Sequence, residues 1–177
     1  MTKLDADLAQ RFSRIRLLSL DVDGVLTDGR LYFTDAGMEL KTFASQDGHA
    51  LKMLQDSGIA VAIITGRSSR LVTRRARELG IRHVFQGARD KRKALSALLA
   101  RSGLDASEVA HAGDDIPDLP VLRQVGLAIG VANQNPVMAA YVHYVTQAPG
   151  GAGAVREICE LLLRCQGRWD SALARYL

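Results

Sequence analysis

Three observations predict an α/β fold, a central parallel sheet covered by helices. Short runs rich in Val, Ile and Leu alternate with amphipathic segments. The runs are brief and apolar throughout, as strands buried on both faces should be. Polar clusters follow directly on several of these runs, at the sheet edge where ligand sites of open α/β sheets collect.

Along the chain, the first strand is read at Ile15 to Asp21. The alternation is then interrupted, because Arg30 to Phe43 reads as two strands around a Thr34-Asp-Ala-Gly37 turn, a β-hairpin flap. A helix from Gly48 to Ser57 leads to a strand at Ile59 to Thr65. The helix from Ser68 to Leu79 sets Val72, Ala76 and Leu79 on one face and Arg70, Arg74, Arg75 and Arg77 elsewhere. Strands at His83 to Gln86, Val109 to Gly113, Leu127 to Val131 and Tyr144 to Thr146 are separated by helices at Lys91 to Arg101, Asp118 to Gln124 and Pro136 to Tyr141. A helix at Ala154 to Cys165 follows. Gly58, Gly80 and Gly103 come just after the first three helices, where left-handed closing residues belong.

At 177 residues the chain is the size of one domain, and 47% hydrophobic with 24% charged residues is ordinary for a globular protein. Cys159 and Cys165 have no partner at metal-binding spacing, so they read as packing residues in a reducing compartment. The N-terminus has no apolar targeting segment, and no stretch approaches the roughly 20 apolar residues of a membrane span. A cytoplasmic protein without membrane attachment is expected. The net charge of +4 is not accompanied by a basic run interleaved with aromatics, which argues against nucleic acid and suits a small anionic substrate.

The first polar cluster, Asp21-Val-Asp23-Gly24, places two carboxylates beyond a buried strand, where they repel each other unless a cation lies between them. Asp114-Asp115-Ile-Pro-Asp118 supplies further oxygen ligands of the kind Mg²⁺ takes. Thr65-Gly66-Arg67 offers a hydroxyl, a flexible backbone and a guanidinium fork for phosphate. Lys91 opens a helix, where an ammonium and the helix N-terminus both favour an anion. Together these groups suit phosphoryl transfer, and with no Gly-x-x-x-x-Gly-Lys-Ser/Thr loop a carboxylate nucleophile is the natural alternative to bound water.

Each residue also has a plainer reading. Asp28 reads as a loop residue, Asp118 could cap a helix, and Thr65 could cap a helix with Gly66 making the turn. Lys91 lies in Arg89-Asp-Lys-Arg-Lys93, where composition does not choose among the cations. His49, His83, His111 and His143 lack metal spacing and read as surface or core residues. A receiver-type regulatory domain would carry its phosphate-accepting Asp on the third strand, whereas this chain has Thr65-Gly66 after its second. A non-enzymatic scaffold gains nothing from clustered carboxylates.

Asp21-Val-Asp-Gly-Val-Leu-Thr-Asp28, Thr65-Gly66, Lys91 and Gly113-Asp-Asp-x-x-Asp118, in this order, resemble the haloacid dehalogenase superfamily of phosphatases. The hairpin, Asp47-Gly48, Ile64-Thr-Gly-Arg67, Val84-Phe85, Gln86-Gly87 and Gly150-Gly-Ala-Gly-Ala-Val-Arg-Glu157 extend the likeness from about Leu17 to about Gly167. They point to its capless subclass, which acts on phosphorylated keto-deoxy sugar acids. The resemblance implies a Rossmann-like three-layer sandwich with no cap domain, formed by residues 1–177. It implies Asp21 as nucleophile and Mg²⁺ ligand, Asp23 as acid/base and metal ligand through its carbonyl, and Asp114 as the third metal ligand. Thr65 and Lys91 would hold the phosphoryl group, while Asp115 and Asp118 would support the metal and its waters.

Asp23, Asp47, Gly48, Lys52, Arg67, Arg75 and Lys91 are the implied substrate contacts. The implied reaction is hydrolysis of 3-deoxy-D-manno-octulosonate 8-phosphate in lipopolysaccharide precursor synthesis. Ala44-Ser45-Gln46, less polar than the matching stretch of some members, keeps a nonulosonate 9-phosphate open as the substrate. A homotetramer is also implied, in which the hairpin and the tail Gly167 to Leu177 of one copy help enclose the site of another.

Overall fold

The structure, a computed structural model, describes residues 4–177, so the first three residues of the N-terminal stretch lie outside it. The chain begins with a helix absent from the elements read above, α1 (Ala6–Arg14), capped by Asp5 and anchored by the buried Phe12. Next come β1 (Leu17–Leu20), the hairpin strands β2 (Tyr32–Phe33) and β3 (Glu39–Leu40), α2 (Ser45–Asp56) and β4 (Ala60–Ile64). They are followed by α3 (Arg70–Leu79), β5 (His83–Phe85), α4 (Lys91–Ser102), β6 (Val109–Gly113), α5 (Leu119–Leu122) and β7 (Leu127–Gly130). The chain closes with β8 (Tyr144–Val145), α6 (Ala154–Cys165) and α7 (Trp169–Leu173).

Six of the strands form one parallel sheet in the order β5-β4-β1-β6-β7-β8, with Leu20 in register with Ile63 on one side and Ala112 on the other. The chain builds outward from β1 to β5, then returns to add β6 on the opposite side. The order therefore reverses around β1, which opens a crevice at the carboxyl ends of β1, β4 and β6. Strand alternation feeds two cores. Leu18, Leu20, Val61 and Ile63 meet Leu51, Leu54, Val72 and Ile158 of α2, α3 and α6. Leu17, Ala62, Ile64 and Val109 meet Leu95, Leu98, Val121 and Leu122 of α4 and α5. This is the expected three-layer sandwich.

Some boundaries differ from the sequence reading. α2 starts at Ser45, so Asp47 and Gly48 form its first turn rather than a loop. Gly48 is placed there by packing, since a Cβ would lie 2.1 Å from Arg75 Nη2. Pro136–Ala140 is a 3₁₀ turn rather than an α-helix, its start fixed by Asn135, whose side chain accepts the Val137 N–H. α5 is shorter than expected because a 3₁₀ turn, Ile116–Asp118, precedes it. The hairpin forms with Tyr32 opposite Leu40. Among the described residues no helix is long and apolar enough to cross a membrane.

Candidate active site

Asp21 is the first residue beyond β1, and its N–H donates to the Ala112 carbonyl at 3.0 Å, so it leaves the sheet still attached to β6. The following loop folds around one carbonyl, with Val22 O accepting from Leu26 and Thr27 at 2.9 and 3.0 Å. Gly24 bends the chain at a φ of +92°, and a Cβ there would lie 2.1 Å from Asp114 Oδ2. Only glycine meets both demands. The Gly150-Gly151 turn packs on the same loop, with Gly151 N–H donating to Val25 O at 3.0 Å. Those glycines brace the motif rather than face the cavity.

Asp21, Asp114 and Asp118 converge with one carboxylate oxygen each within 4.8 Å of the others. Lys91 Nζ sits among them, 3.0 Å from Asp21 Oδ2 and 2.6 Å from Asp118 Oδ1. The structure thus chooses among the basic residues of this segment: Lys91 is buried while Arg89, Arg92 and Lys93 are exposed. Asp118 stands at the N-cap position of α5 but makes no capping bond to it, and its carboxylate accepts the Asp114 N–H at 3.2 Å instead. Burial, then the charges of Asp118, Asp21 and Asp115, push the Asp114 carboxyl up to about 7. Burial would lower Lys91, but Asp118 and Asp21 outweigh it and hold its ammonium above the ordinary range.

A single lysine does not balance this acidic cluster. Asp21 Oδ1 is buried and has no hydrogen-bond partner, a costly state for a carboxylate oxygen unless an ion meets it. The all-oxygen donor set and the orphaned atom fit a divalent cation of the hard type.

Asp21, Asp23, Thr65, Gly66, Arg67, Lys91, Asp114, Asp115 and Asp118 line one cavity of about 330 Å³. Asp23 is flanked by two cations the hairpin and motif loops bring to it: Lys41 Nζ bonds Oδ1, and Arg67 Nε lies 3.7 Å from Oδ2. Lys41 was not anticipated, nor was Glu39, which binds Arg67 Nη2 at 2.8 Å and accepts from Ser69 Oγ at 2.7 Å. No local pattern pairs them with Asp23 and Arg67, because these contacts join segments 18 and 28 residues apart.

Other anticipated substrate residues lie elsewhere within one chain. Asp47 is buried and accepts the Arg156 and Gly153 N–H groups at 2.8 and 3.4 Å, closing the N-terminus of α6. Arg75 reaches the Ala44 carbonyl at 3.5 Å and lies over the Phe43 ring. Lys52 lines a separate groove of about 720 Å³ with Gly58, Ile59, Arg77 and Arg82, by the amino ends of β4 and β5. That groove is larger, yet the convergent carboxylates mark the smaller cavity as the chemical one. Asp28 is a loop residue, as read, and accepts from the hairpin's Tyr32 Oη at 2.6 Å.

Residues 40–126 match the family model for haloacid dehalogenase-like hydrolases. The 3-deoxy-D-manno-octulosonate 8-phosphate phosphatase KdsC of Yersinia pestis is 47% identical over 94% of this chain and 89% of its own length. The chain belongs to this family of phosphatases. The fold agrees. A probable YrbI-family phosphatase from Pseudomonas syringae superposes with a TM-score of 0.95 at 51% identity, covering 97% of this chain and 98% of the other. The Moraxella catarrhalis 3-deoxy-D-manno-octulosonate 8-phosphate phosphatase, solved with magnesium, phosphate and KDO, gives 0.94 at 45% identity and the same coverage. Membership of this family makes the chain a phosphoric monoester hydrolase.

Proposed function

We propose that the chain hydrolyses 3-deoxy-D-manno-octulosonate 8-phosphate to the free sugar acid and phosphate, in the cytoplasm, as a step of lipopolysaccharide precursor synthesis. The observation that carries the reading is Asp21, a buried carboxylate with one oxygen on Lys91 and the other unpartnered. Asp21 attacks phosphorus, the bond from phosphorus to the sugar oxygen breaks, and Asp23 gives its proton to that oxygen. Water then attacks the aspartyl-phosphate while Asp23 takes its proton, and Asp21 is released with free phosphate. Lys91 and Thr65 hold the phosphoryl oxygens.

Mg²⁺ held by Asp21, Asp114 and the Asp23 carbonyl would neutralise charge on the transferring group. Asp115 and Asp118 steady that centre, Asp115 through a 2.9 Å bond from Asn135 Nδ2. Arg67, whose side chain is 41% exposed above the cavity, is the group best suited to the substrate carboxylate. The chain acts as one domain, residues 1–177, and assembles as a homotetramer. Support for the assembly comes from the hairpin, where Leu31, Phe33, Met38 and Leu40 are all exposed, a patch of the kind that marks an interface.

The test is phosphate release from octulosonate 8-phosphate, nonulosonate 9-phosphate and simple sugar phosphates, with and without Mg²⁺. Metal-dependent preference for the octulosonate is expected. Preference for the nonulosonate would move the substrate and keep the chemistry.

A further inference from the structure

Ser19 and His111 face each other across β1 and β6 as register partners. They point into the layer that packs on α4 and α5, where their neighbours Leu17, Ala62, Ile64, Val109 and Ala128 are apolar. Both are wholly buried. A hydroxyl and an imidazole in such a layer cost free energy unless their polar atoms are matched. Here they are matched in a directed chain. His111 Nε2 lies 3.2 Å from Asp118 Oδ1, and His111 Nδ1 lies 3.1 Å from Ser19 Oγ. A carboxylate only accepts, so the ring hydrogen belongs on Nε2, and Nδ1 of the neutral ring accepts from the Ser19 hydroxyl.

Asp118 is where this chain reaches the chemistry. The oxygen that takes His111 also takes Lys91 at 2.6 Å, and the other accepts the Asp114 N–H. Space for that side chain is left by Gly113, where a Cβ would come within 2.5 Å of Asp118 Cβ and Cγ. The carboxylate is therefore held by contacts on both oxygens, and His111 supplies the one that comes from inside the sheet.

We infer that His111 is a positioning residue for phosphoryl transfer: its Nε2–H, steadied by Ser19, fixes Asp118 and so sets where the Lys91 ammonium and the Asp114 loop stand relative to Asp21. The inference rests on the reading of Asp21 and Lys91 as the phosphoryl-transfer pair. It adds a role for two buried polar residues that the mechanism does not touch.

Two measurements on the full-length protein are independent of any substrate. Two-dimensional ¹⁵N–¹H spectra should place a ring hydrogen of His111 on Nε2, and calorimetry with Mg²⁺ alone should show several-fold weaker binding by His111→Phe than by the parent. In turnover, His111→Phe should lower kcat about tenfold with little change in KM, and His111→Gln, which keeps an N–H donor, should recover most of that loss. A ring hydrogen on Nδ1 alone overturns the inference. So does a folded His111→Phe with parental kcat and Mg²⁺ affinity. Should that variant not fold, Ser19→Ala decides: a several-fold lower kcat supports the inference, and parental kcat and Mg²⁺ affinity defeat it. Failure of the phosphatase reading would show separately, as no phosphate release by the unmodified protein.

Discussion

Two regions close over the same cavity and are built in opposite ways. The loops after β1, β4 and β6 carry buried polar anchors, Asp21, Thr65 and Asp118, and are tied to the sheet, with Asp21 on Ala112 O and Thr65 N–H on Phe85 O at 2.9 Å. The hairpin has two-residue strands and exposes Phe33 and Met38 at 58% and 62%. It reaches the cavity through Leu31, which joins its lining, and through charges, Lys41 on Asp23 and Glu39 on Arg67. The first region is over-supplied with repelling carboxylates and the second with uncovered apolar surface. On the proposed reading each is completed from outside the chain's own core, one by a cation and the other by a neighbouring copy.

The strongest way to break this comparison is Asp21→Asn. The variant should lose at least about 10³-fold in phosphate release while its Tm stays level or rises, because a buried repelling charge has gone. Initial rates and a thermal melt check both halves. Substantial residual activity would exclude Asp21 as nucleophile, and a large fall in Tm would show that the cluster stabilises the fold.

The second test works on the other region. Replacing Phe33, Met38 and Leu40 together by serine removes exposed apolar surface that is outside the cavity lining. The helical content should be retained while light scattering shows dissociation to smaller species, with activity reduced about tenfold. A molar mass unchanged from the parent's would show that this patch holds no interface.

The two regions also differ in how far the sequence disclosed them. Strand-end chemistry was legible because its motifs follow apolar runs: Val109 to Gly113, which leads into Asp114, appears with the anticipated bounds. Contacts from distant segments were not. Lys41 meets Asp23, and Asp47 meets Arg156, only because of packing that no local period encodes. α1 was legible in principle, since Leu4, Leu8 and Phe12 stand at a spacing of four and pack on the core. α2 was shortened in the reading because its first turn contains Gly48 and its cap, Ala44, offers no side-chain acceptor.

The cation deficit makes a pH prediction of smaller size. The Asp114 carboxyl is raised to about 7 in the folded state, by burial and then by its acidic neighbours, so the folded protein holds a proton that the unfolded chain has lost. The contribution of this group to the stability of the metal-free protein is therefore fully present below about pH 4, falls as pH rises toward 7 and is lost above it. Mg²⁺ should abolish most of that slope. His143, held below its ordinary range by burial, slopes the opposite way through its own titration. It does so with or without metal, so the difference between melts with EDTA and with Mg²⁺, from pH 5 to 8, isolates the carboxylates. Identical slopes in the two series would mean that no cation is missing from the cluster.

The smallest expected effect separates a brace from a substrate contact. Asp47 spends both carboxylate oxygens on backbone N–H groups at the start of α6, the element that carries Ile158 and Leu162 into the core beneath β1. Asp47→Ala should cost about 1 kcal/mol, a fall in Tm of about 2 to 4 °C for a chain of this size. Its kcat and KM should stay within about twofold of the parent, since the residue is buried away from the cavity-lining set. A rise in KM with unchanged Tm would reverse the assignment. Asp47 would then belong with Arg67 as a group that recognises the sugar acid, and α2 would have to present its first turn to a substrate rather than to α6.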